Sequence, residues 1–380
     1  MRIAFYTDTY LPNRDGVVTA VLNFKRELER RGHEVYIFAA GSRKAKQENR
    51  DPRVFYHIST PFRPYPQYRI AVFPFLSERT VRRLGIDVIH SHGMAMMGLA
   101  ADRAAHDLRI PYAATLHTLI PLATHYITRI PTVKMLAKKA LWKYLAWYYG
   151  RCDAPIAPSH VIKELMEQHG IRGVRVIPNG IDTGRLTPDA PAGPIREWWG
   201  LGQKKVVLYL GRIALEKNLE VLIRAALLVA EEEPDVRFLI VGTGPAARYY
   251  KELVRKSNVD RYFVFTGFVE DRWVPSYYVS ADAVVVPSKF ETQGLVTLEA
   301  MACGRPVAGS DFLATREIVR DGYNGHLFDP DDPEDCAEKI ILTLKEKERL
   351  GKNALKTAEE YSIERCTDRL LALYEELLKR

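Results

Sequence analysis

The feature that most constrains the fold of this sequence is an alternation of short apolar segments and longer helical ones, which occurs twice along the chain. In the first half the strand-like segments are RIAFYTD, EVYIFAA, DVIHSH, YAATLHT, APIAPS and VRVIPN. In the second half they are KKVVLYLGR, VRFLIVGTG, YFVFTGFV, DAVVVPS and RPVAGSD. Strands separated by helices favour parallel sheets with right-handed crossover connections. The pattern predicts the α/β class, with two Rossmann-like, doubly wound domains.

A segment rich in Pro, Gly and Asp, PNGIDTGRLTPDAPAGP, interrupts the alternation and predicts a linker. We therefore expect a first domain over residues 1–180 and a second over residues 181–362. The last helical segment, residues 363–380, is expected to pack on the first domain, because its apolar stripe needs a partner surface. That stripe consists of Leu370, Leu371, Tyr374 and Leu377. Doubly wound sheets bind ligands beyond the carboxyl ends of their strands, so the two domains are expected to face one another across a cleft.

The charge is distributed unevenly between the two halves. Residues 1–180 contain 27 Lys and Arg against 14 Asp and Glu, a net charge of +13, whereas the remainder has a net charge of −5. This asymmetry indicates an anionic partner for the first half, unless the basic surface serves solubility alone. Four scattered cysteines without a CxxC pair are typical of reduced cytosolic thiols. No apolar run approaches the roughly 18 residues of a membrane span, and the start does not resemble a secretory signal.

Gly16, in LPNRDGVVTAVL, lies where the first strand ends and the first helix begins. A glycine there lets backbone N–H groups approach an anion at the positive end of the helix. Ordinary turn geometry explains such a glycine equally well. The GxGxxG fingerprint is absent, so nicotinamide chemistry loses its main support.

The segment YLGRIALEKN places Arg212 at a strand end and Lys217 five residues later. Two cations at the edge of a sheet suit a diphosphate, because Arg can bind two oxygens and Lys adds a point charge. The alternative is a solvated loop in which the cations pair with Glu216. Weaker signals come from strand ends whose backbone is suited to a nucleobase or ribose, at Gly242, Phe268 and Val269.

The segment KFETQGLVTLEAMACGRP places Glu291 on a loop after a buried strand and Glu299 inside the following helix. The backbone N–H groups near Gly294 and Leu295 are expected to form a phosphate pocket. Carboxylates on either side of it suit sugar hydroxyls, since each oxygen accepts two hydrogen bonds. The alternatives are a pair of acids for glycoside hydrolysis, or a surface Glu beside a capping Glu.

These motifs resemble those of the retaining GT-B glycosyltransferases that carry a Glu-x7-Glu motif. FETQGLVTLEA is accompanied by GRIALEKN, IPNGID and YTDTYLPNRDGVV in the order typical of that family, over nearly the whole chain. The resemblance implies that Glu291 contacts the donor hexose, that Glu299 contacts the ribose, and that Arg212 and Lys217 hold the diphosphate, with Gly16 close by. Most of the family has Ser-Phe or Thr-Phe after the first Glu. The Thr292-Gln293 found here resembles the branch that glycosylates diacylglycerol.

The segment TLHTLIPLATHYITRIP resembles the same branch, which has His-Thr followed by His-Tyr-Ile. The resemblance implies that His117 hydrogen-bonds the hexose near its reactive carbon and that His125 and Tyr126 serve the acceptor. From the residues alone, His117 could equally be a structural donor. His90 and His92 share a strand face, but no third ligand is near, so we expect strand-end packing and no metal. No cofactor is expected, because the nucleotide-sugar donor is a substrate.

Residues 132–149, TVKMLAKKALWKYLAWYY, predict a helix whose lysines share one half of the helical wheel with Met135 and Trp142. The predicted membrane-facing residues are Lys134, Lys138, Lys139, Trp142 and Lys143. This composition suits an anionic membrane interface. An ordinary amphipathic helix whose long side chains cover its own aromatic residues would have the same sequence pattern. No nucleic-acid recognition module is present.

The sequence thus predicts a retaining glycosyltransferase, peripheral to the inner face of the cell membrane. It would transfer a hexose, with glucose expected, from a nucleotide-diphosphate sugar to a lipid such as diacylglycerol. A second hypothesis is transfer to a soluble sugar or inositol-phosphate acceptor, as in a mannosyltransferase. A third is nucleotide-sugar binding without turnover. The nucleobase stays open between uridine and guanosine.

Overall fold

The computed structural model describes residues 1–13, 15–62, 65–72, 74, 77–122 and 130–380. The chain divides into two compact units. The first consists of Met1–Gly180 together with Ile363–Arg380, and the second is Ile181–Ser362.

In its described part, the first unit contains an eight-stranded sheet. Its strands are β1 (Arg2–Thr7), β2 (Glu34–Gly41), β3 (Val54–Phe62), β4 (Tyr65–Ala71), β5 (Val88–Ser91), β6 (Tyr112–Thr115), β7 (Ala154–Ala157) and β8 (Arg175–Val176). The strand order is β4-β3-β2-β1-β5-β6-β7-β8, and the pairs are parallel except for β3 with β4. The chain first extends the sheet from β1 toward β4 and then resumes on the other side of β1. The carboxyl ends of β1 and β5 therefore form a switch point, where such sheets bind ligands.

Helices connect these strands: α1 (Gly16–Arg30), α2 (Arg43–Glu48), α3 (Ser77–Leu84), α4 (Met96–Leu108), α5 (Pro131–Tyr149) and α6 (His160–Gln168). The start of α1 is fixed by Asp15, whose carboxylate accepts a hydrogen bond from the backbone N–H of Val18 at 2.9 Å. Such a cap satisfies one of the N–H groups that a helix leaves without a partner in its first turn.

The second unit, all of which is described, contains a six-stranded parallel sheet. Its strands are β9 (Val206–Leu210), β10 (Arg237–Val241), β11 (Phe263–Gly267), β12 (Ala283–Val286), β13 (Val307–Ser310) and β14 (Gly325–Phe328). The order is β11-β10-β9-β12-β13-β14, so the switch point lies between β9 and β12. Any loop that follows either of these two strands is therefore brought to the same place.

The helices of the second unit cover both faces of its sheet. They are α7 (Gly193–Trp198), α8 (Leu219–Glu232), α9 (Ala247–Lys256), α10 (Val274–Ser280), α11 (Leu295–Ala302), α12 (Thr315–Ile318), α13 (Pro333–Lys345) and α14 (Lys347–Glu360). Alternate residues of β9 enter different apolar clusters: Val207 and Tyr209 join one, and Val206 and Leu208 the other. Because alternate residues point to opposite faces of the sheet and both faces are buried, the sequence of such a strand is apolar at every position.

The last helix, α15 (Ile363–Leu378), packs in the first unit. Its buried side chains join the apolar cluster that also contains Phe5 and Phe24. These side chains are Ile363, Cys366, Leu370, Leu373, Tyr374 and Leu377. A Cβ atom at Gly180 would lie 2.5 Å from the Cα atom of Ile363, so only glycine fits where the chain passes itself. No helix in the described ranges is long and apolar enough to cross a membrane.

Candidate active site

An acid and a cation predicted from distant segments form a direct ion pair in the second unit. Lys217 follows β9, Glu291 follows β12, and the Lys217 Nζ atom lies 2.6 Å from Glu291 Oε1. Their loops are also joined through the backbone, since the N–H of Lys289 donates to the carbonyl of Glu216 at 3.1 Å. Both side chains are largely buried, with exposed fractions of 23% for Lys217 and 16% for Glu291. The switch point thus presents an ammonium and a carboxylate in fixed positions.

Arg212 follows the end of β9, five positions before Lys217. Its carbonyl accepts a hydrogen bond from the hydroxyl of Tyr209 at 2.7 Å, which anchors the backbone. Its guanidinium Nη1 atom is 3.8 Å from Glu216 Oε1, so the ion pair considered as the alternative role is present but long. The guanidinium and the Lys217 ammonium together bring two positive charges to the edge of the sheet where anions bind.

The turn between Glu291 and α11 is shaped by Gly294. Its φ of 81° lies in the left-handed region, which L side chains rarely adopt. Gly294 is the N-cap of α11 and makes no side-chain cap, so the N–H groups of Leu295 and Val296 in the first turn have no side-chain oxygen of the capping residue to donate to. Thr292 is half-buried and Gln293 is buried just before it. A helix start of this kind suits phosphate oxygens.

Glu299 lies inside α11, where its Oε2 atom accepts a hydrogen bond from the hydroxyl of Tyr278 at 2.9 Å. Burial raises the pKa of Glu299, while the Tyr278 hydrogen bond and the charge of Arg185 act in the lowering direction. A carboxylate held in such surroundings favours partners that donate hydrogen bonds, as vicinal hydroxyls do.

The weaker candidates of this unit have structural explanations. A Cβ atom at Gly242 would lie 1.9 Å from the carbonyl oxygen of Gly211, so the glycine is required where the ends of β9 and β10 meet. Val269 packs against an apolar cluster, whereas Phe268 is 64% exposed. Of these three residues, Phe268 alone has a side chain exposed to an approaching ligand.

In the first unit, Gly16 is exposed and is the first residue of α1. The Asp15 carboxylate that caps this helix also accepts a hydrogen bond from the hydroxyl of Thr9 at 3.0 Å. An anion at the start of α1 would therefore lie beside this carboxylate. The other helix start at this edge, that of α4, is bound by the buried Asp8, which accepts from the N–H groups of Ala95 and Met97 at 2.9 and 3.0 Å.

His117 is buried just after β6, and its Nε2 atom lies 2.9 Å from Nδ1 of His92. Burial lowers the pKa of His117 to about 4 and also lowers the pKa of His92. Both rings are therefore neutral at pH 7. His90 has both nitrogens engaged, by the hydroxyls of Tyr374 at 2.6 Å and Thr115 at 2.7 Å, as expected for a packing residue. The contact of His92 with His117 was not foreseen. The contact could have been predicted only from the adjacency of β5 and β6 in the sheet, and the alternating pattern alone does not specify that adjacency.

Comparison with known proteins places the chain in a family. Residues 195–358 match the family Glycosyl transferases group 1, and residues 14–185 match Glycosyltransferase Family 4. The Alpha-monoglucosyldiacylglycerol synthase of Acholeplasma laidlawii is 31% identical over 396 residues, which covers 100% of this chain and 98% of that protein. The chain belongs to the glycosyl transferases group 1. The predicted family and its diacylglycerol glucosyltransferase branch are confirmed.

Two further similarities bear on this glycosyltransferase. A GDP-mannose-dependent alpha-mannosyltransferase of Mycolicibacterium smegmatis is 30% identical over 393 residues, covering 100% of this chain and 98% of the relative. The structure of Anabaena HepE in complex with UDP superposes with a TM-score of 0.80 at 20% identity, covering 99% of this chain and 100% of that one. The structural similarity confirms the predicted GT-B fold.

The prediction that Trp142 of this glycosyltransferase faces a membrane is wrong. Trp142 is only 5% exposed, and its ring stacks on that of His169 with centroids 3.7 Å apart. The reason is that α5 attaches to its unit through a stripe containing Trp142, Leu145, Tyr148 and Tyr149. The helical wheel gives the angular positions correctly, but it does not say which apolar residues face the protein.

The remaining surface of α5 is basic and apolar together. Lys138, Lys139 and Lys143 are exposed and Lys134 is half-buried. Among the apolar side chains, Leu136 is 62% exposed and Trp147 is 51% exposed, and further exposed residues are Ile130, Val133 and Met135. His125 and Tyr126 lie outside the described residues. Within the described ranges, no cluster of three His, Cys, Asp or Glu side chains could hold a metal ion.

Proposed function

We propose that this glycosyltransferase transfers glucose from a nucleoside-diphosphate glucose to a lipid hydroxyl, such as that of diacylglycerol, with retention of the configuration at the anomeric carbon. The observation that carries the proposal is the contact of Lys217 with Glu291 at the switch point of the second unit. In this proposal Lys217 binds the diphosphate and Glu291 binds the hexose, so the contact supports a site that holds these two parts of the donor side by side. The full-length similarity to a glucosyldiacylglycerol synthase supports the choice of sugar and acceptor.

The donor is bound by charges whose positions are already fixed. Arg212 and Lys217 bind the diphosphate, together with the N–H groups at the start of α11. Glu291 accepts hydrogen bonds from hexose hydroxyls, and Glu299 accepts them from the ribose. When the leaving group departs, negative charge grows on the diphosphate. Because the two cations and the helix start are held in place before the reaction, they stabilise this charge without reorganising.

Retention follows from attack on the face from which the leaving group departs. The bond from the acceptor oxygen to the anomeric carbon forms as the bond to the diphosphate oxygen breaks, and the acceptor proton passes to the departing phosphate. The products are an α-linked glycolipid and a nucleoside diphosphate. We assign no nucleophile on the protein. His117 donates a hydrogen bond to the hexose near the reacting carbon and is not needed as a base.

The acceptor is reached at a membrane surface. The exposed lysines of α5 attract anionic headgroups, each contributing about 1 kcal/mol near such a surface. Exposed apolar side chains on the same helix, such as Leu136 and Trp147, enter the boundary between headgroups and acyl chains. The enzyme would therefore work as a peripheral protein on the inner face of the cell membrane. No cofactor or metal is needed in this proposal, because Arg212 and Lys217 provide the charge that neutralises the diphosphate.

The experiment has two stages. Thermal-shift measurements with UDP- and GDP-sugars identify the donor, and thin-layer chromatography with diacylglycerol and the radiolabelled donor detects the glycolipid. Transfer to diacylglycerol with the α-anomer as product supports the proposal. Donor binding or slow donor hydrolysis without any glycolipid would contradict the lipid acceptor. Binding with neither transfer nor hydrolysis would indicate a nucleotide-sugar-binding protein without turnover.

A second candidate is transfer of mannose from GDP-mannose to a soluble sugar or inositol-phosphate acceptor. It is favoured by the similarity to the GDP-mannose-dependent alpha-mannosyltransferase, which extends over the whole chain at 30% identity. A thermal shift with GDP-mannose but not with UDP-glucose would support this candidate, as would transfer to a water-soluble acceptor in the absence of lipid.

A further inference from the structure

Two histidine rings from neighbouring strands are joined by a single hydrogen bond in the first unit. Nδ1 of His92 lies 2.9 Å from Nε2 of His117, and the two rings are stacked with centroids 5.2 Å apart. Both side chains are buried. When two neutral rings meet at this distance, one nitrogen carries the hydrogen and the other offers its lone pair.

The other nitrogen of His92 determines which ring donates. His92 Nε2 is buried and has no hydrogen-bond partner in the described part of the chain. A hydrogen on this atom would create a buried N–H without an acceptor, which proteins avoid more strictly than an acceptor that lacks a donor. His92 therefore has its hydrogen on Nδ1 and donates it to His117 Nε2. A neutral His117 that accepts at Nε2 must carry its own hydrogen on Nδ1.

The neighbours of His92 hold its ring in this orientation. The ring of His90 lies 4.1 Å away between centroids, and that of Phe5 meets it at 4.6 Å with an interplanar angle of 69°. His90 is itself fixed at both nitrogens by Tyr374 and Thr115. A ring packed between two fixed neighbours cannot exchange Nδ1 for Nε2 without displacing them.

We propose that His92 is a positioning residue that fixes His117 in the Nδ1–H tautomer. That this ring lies beside the reacting hexose rests on the proposed function. In this tautomer the Nε2 lone pair of His117 is occupied, so the ring does not take the acceptor proton. The departing phosphate must then accept it, as the retaining reaction requires.

Activity measurements compare variants that keep or remove the donor. The amide nitrogen of Asn can take the place of a histidine Nδ1, whereas Leu has no donor. We expect His92→Leu to lower kcat about tenfold, the effect of losing one hydrogen bond at a reacting group, and His92→Asn to retain most of the activity. For the partner ring, His117→Asn should retain more activity than His117→Gln, since Gln places its amide at the Nε2 position. Equal activity of His92→Leu and wild type would overturn the positioning role.

The tautomer itself is measured independently of sugar transfer. In protein labelled with ¹⁵N-histidine, long-range ¹H–¹⁵N spectra distinguish a protonated Nδ1 from a protonated Nε2, and the His117→Asn spectrum assigns the His117 signals. We expect Nδ1–H at His117 in the wild type and a shift toward Nε2–H in His92→Leu. Protonation of His117 on Nε2 in the wild type would overturn the proposal, even if His92→Leu failed to fold.

His57→Leu is the matched control. His57 also belongs to the sheet of the first unit and also has an Nε2 atom without a partner in the described ranges. It lies on β3, which β2 and β1 separate from β5. We expect this variant to leave both the His117 tautomer and the transfer rate unchanged. If no variant and no wild-type sample transfers sugar, the proposed function fails while the spectra still decide the tautomer.

Discussion

Lys217 and Glu291 are 74 positions apart in the sequence, yet their charged atoms lie 2.6 Å apart. They meet because β9 and β12 are neighbours in the sheet although β10 and β11 intervene in the chain. Each side chain holds the other in place while the donor is absent. Under the proposed function, a diphosphate that engages Lys217 would leave Glu291 in need of new hydrogen-bond donors, which the hydroxyls of a hexose would supply. Binding of the two parts of the donor is therefore expected to be coupled.

Removal of the Lys217 ammonium tests its role in stabilising the leaving group. We expect Lys217→Ala to lower kcat about 10²–10³-fold, the loss seen when one preorganised electrostatic contact is removed. The KM of the donor should change less, because the charge develops only in the transition state. Steady-state kinetics at saturating donor measures both. Lys339→Ala is the control, since Lys339 is as exposed as Lys217 and also pairs with a glutamate, Glu338 on α13, away from the switch point. Wild-type turnover in Lys217→Ala would refute the role.

Glu299→Gln separates donor binding from stability. Burial raises the pKa of Glu299, so the unfolded chain releases this proton at a lower pH than the folded protein does. The contribution of Glu299 to the free energy of unfolding therefore falls as the pH rises above 4.5, the pKa of this group in the unfolded chain. The Tm of Glu299→Gln relative to wild type should increase from pH 4 to pH 7, while its nucleotide affinity drops about tenfold or more. Calorimetry and titration measure the two effects, and a relative Tm that falls with pH would contradict the burial argument.

Two tryptophans of α5 are expected to behave in opposite ways. Trp142 is buried against His169, so Trp142→Ala should lower the free energy of unfolding by about 3–5 kcal/mol. Trp147 is 51% exposed, so Trp147→Ala should change stability little and weaken vesicle binding. Denaturant unfolding and vesicle sedimentation distinguish the two variants. A large loss of stability in Trp147→Ala would show that its exposed position is misjudged.

The basic surface of α5 is tested by charge reversal. Replacing Lys134, Lys138, Lys139 and Lys143 with Glu should abolish pelleting on anionic vesicles and leave the Tm nearly unchanged, because three of these lysines are exposed. The contribution of charge should also decrease as salt rises, since the screening length shortens to about 3 Å at 1 M. Sedimentation on neutral vesicles is the control. Equal pelleting on neutral and anionic vesicles, unchanged in the variant, would exclude electrostatic docking.

The neutral His117 makes stability depend on pH. Burial lowers its pKa from 6.5 to about 4, so the unfolded chain binds a proton that the folded protein does not. The contribution of His117 is therefore complete above pH 6.5 and is lost as pH falls toward 4. In this window His117→Asn should reduce the slope of the free energy of unfolding by up to about 1.4 kcal/mol per pH unit. Calorimetry from pH 4.5 to 7.5 measures the slope, and an unchanged slope would place the titration elsewhere.

The positions of the candidate residues for binding the sugar donor could be predicted from the sequence, because they depend on a general rule. Arg212, Lys217 and Glu291 all follow strand ends, and parallel strands bring such loops to one edge. The choice of Glu291 rather than Glu216 as the partner of Lys217 could not be read, because it depends on how two backbone turns approach one another.

Side-chain partners across the sheet and the buried face of a helix were harder to predict. The alternating pattern leaves the strand order open, so the contact of His92 with His117 could not be derived from it. In α5, apolar residues occur on both halves of the helical wheel, including the half that carries the lysines, and Trp142 of that half is buried with its ring stacked on His169. The contrast between amphipathic faces is too small there for periodicity to identify the packed side.

The return of α15 to the first unit has a consequence for biosynthesis. Tyr374 can reach His90 only after the ribosome has made the entire second unit, so the unit that begins first is completed last. A nascent chain paused anywhere between residues 181 and 362 carries an open hydrophobic surface where α15 will later pack beside Phe24. That surface is the one a ribosome-associated chaperone would meet.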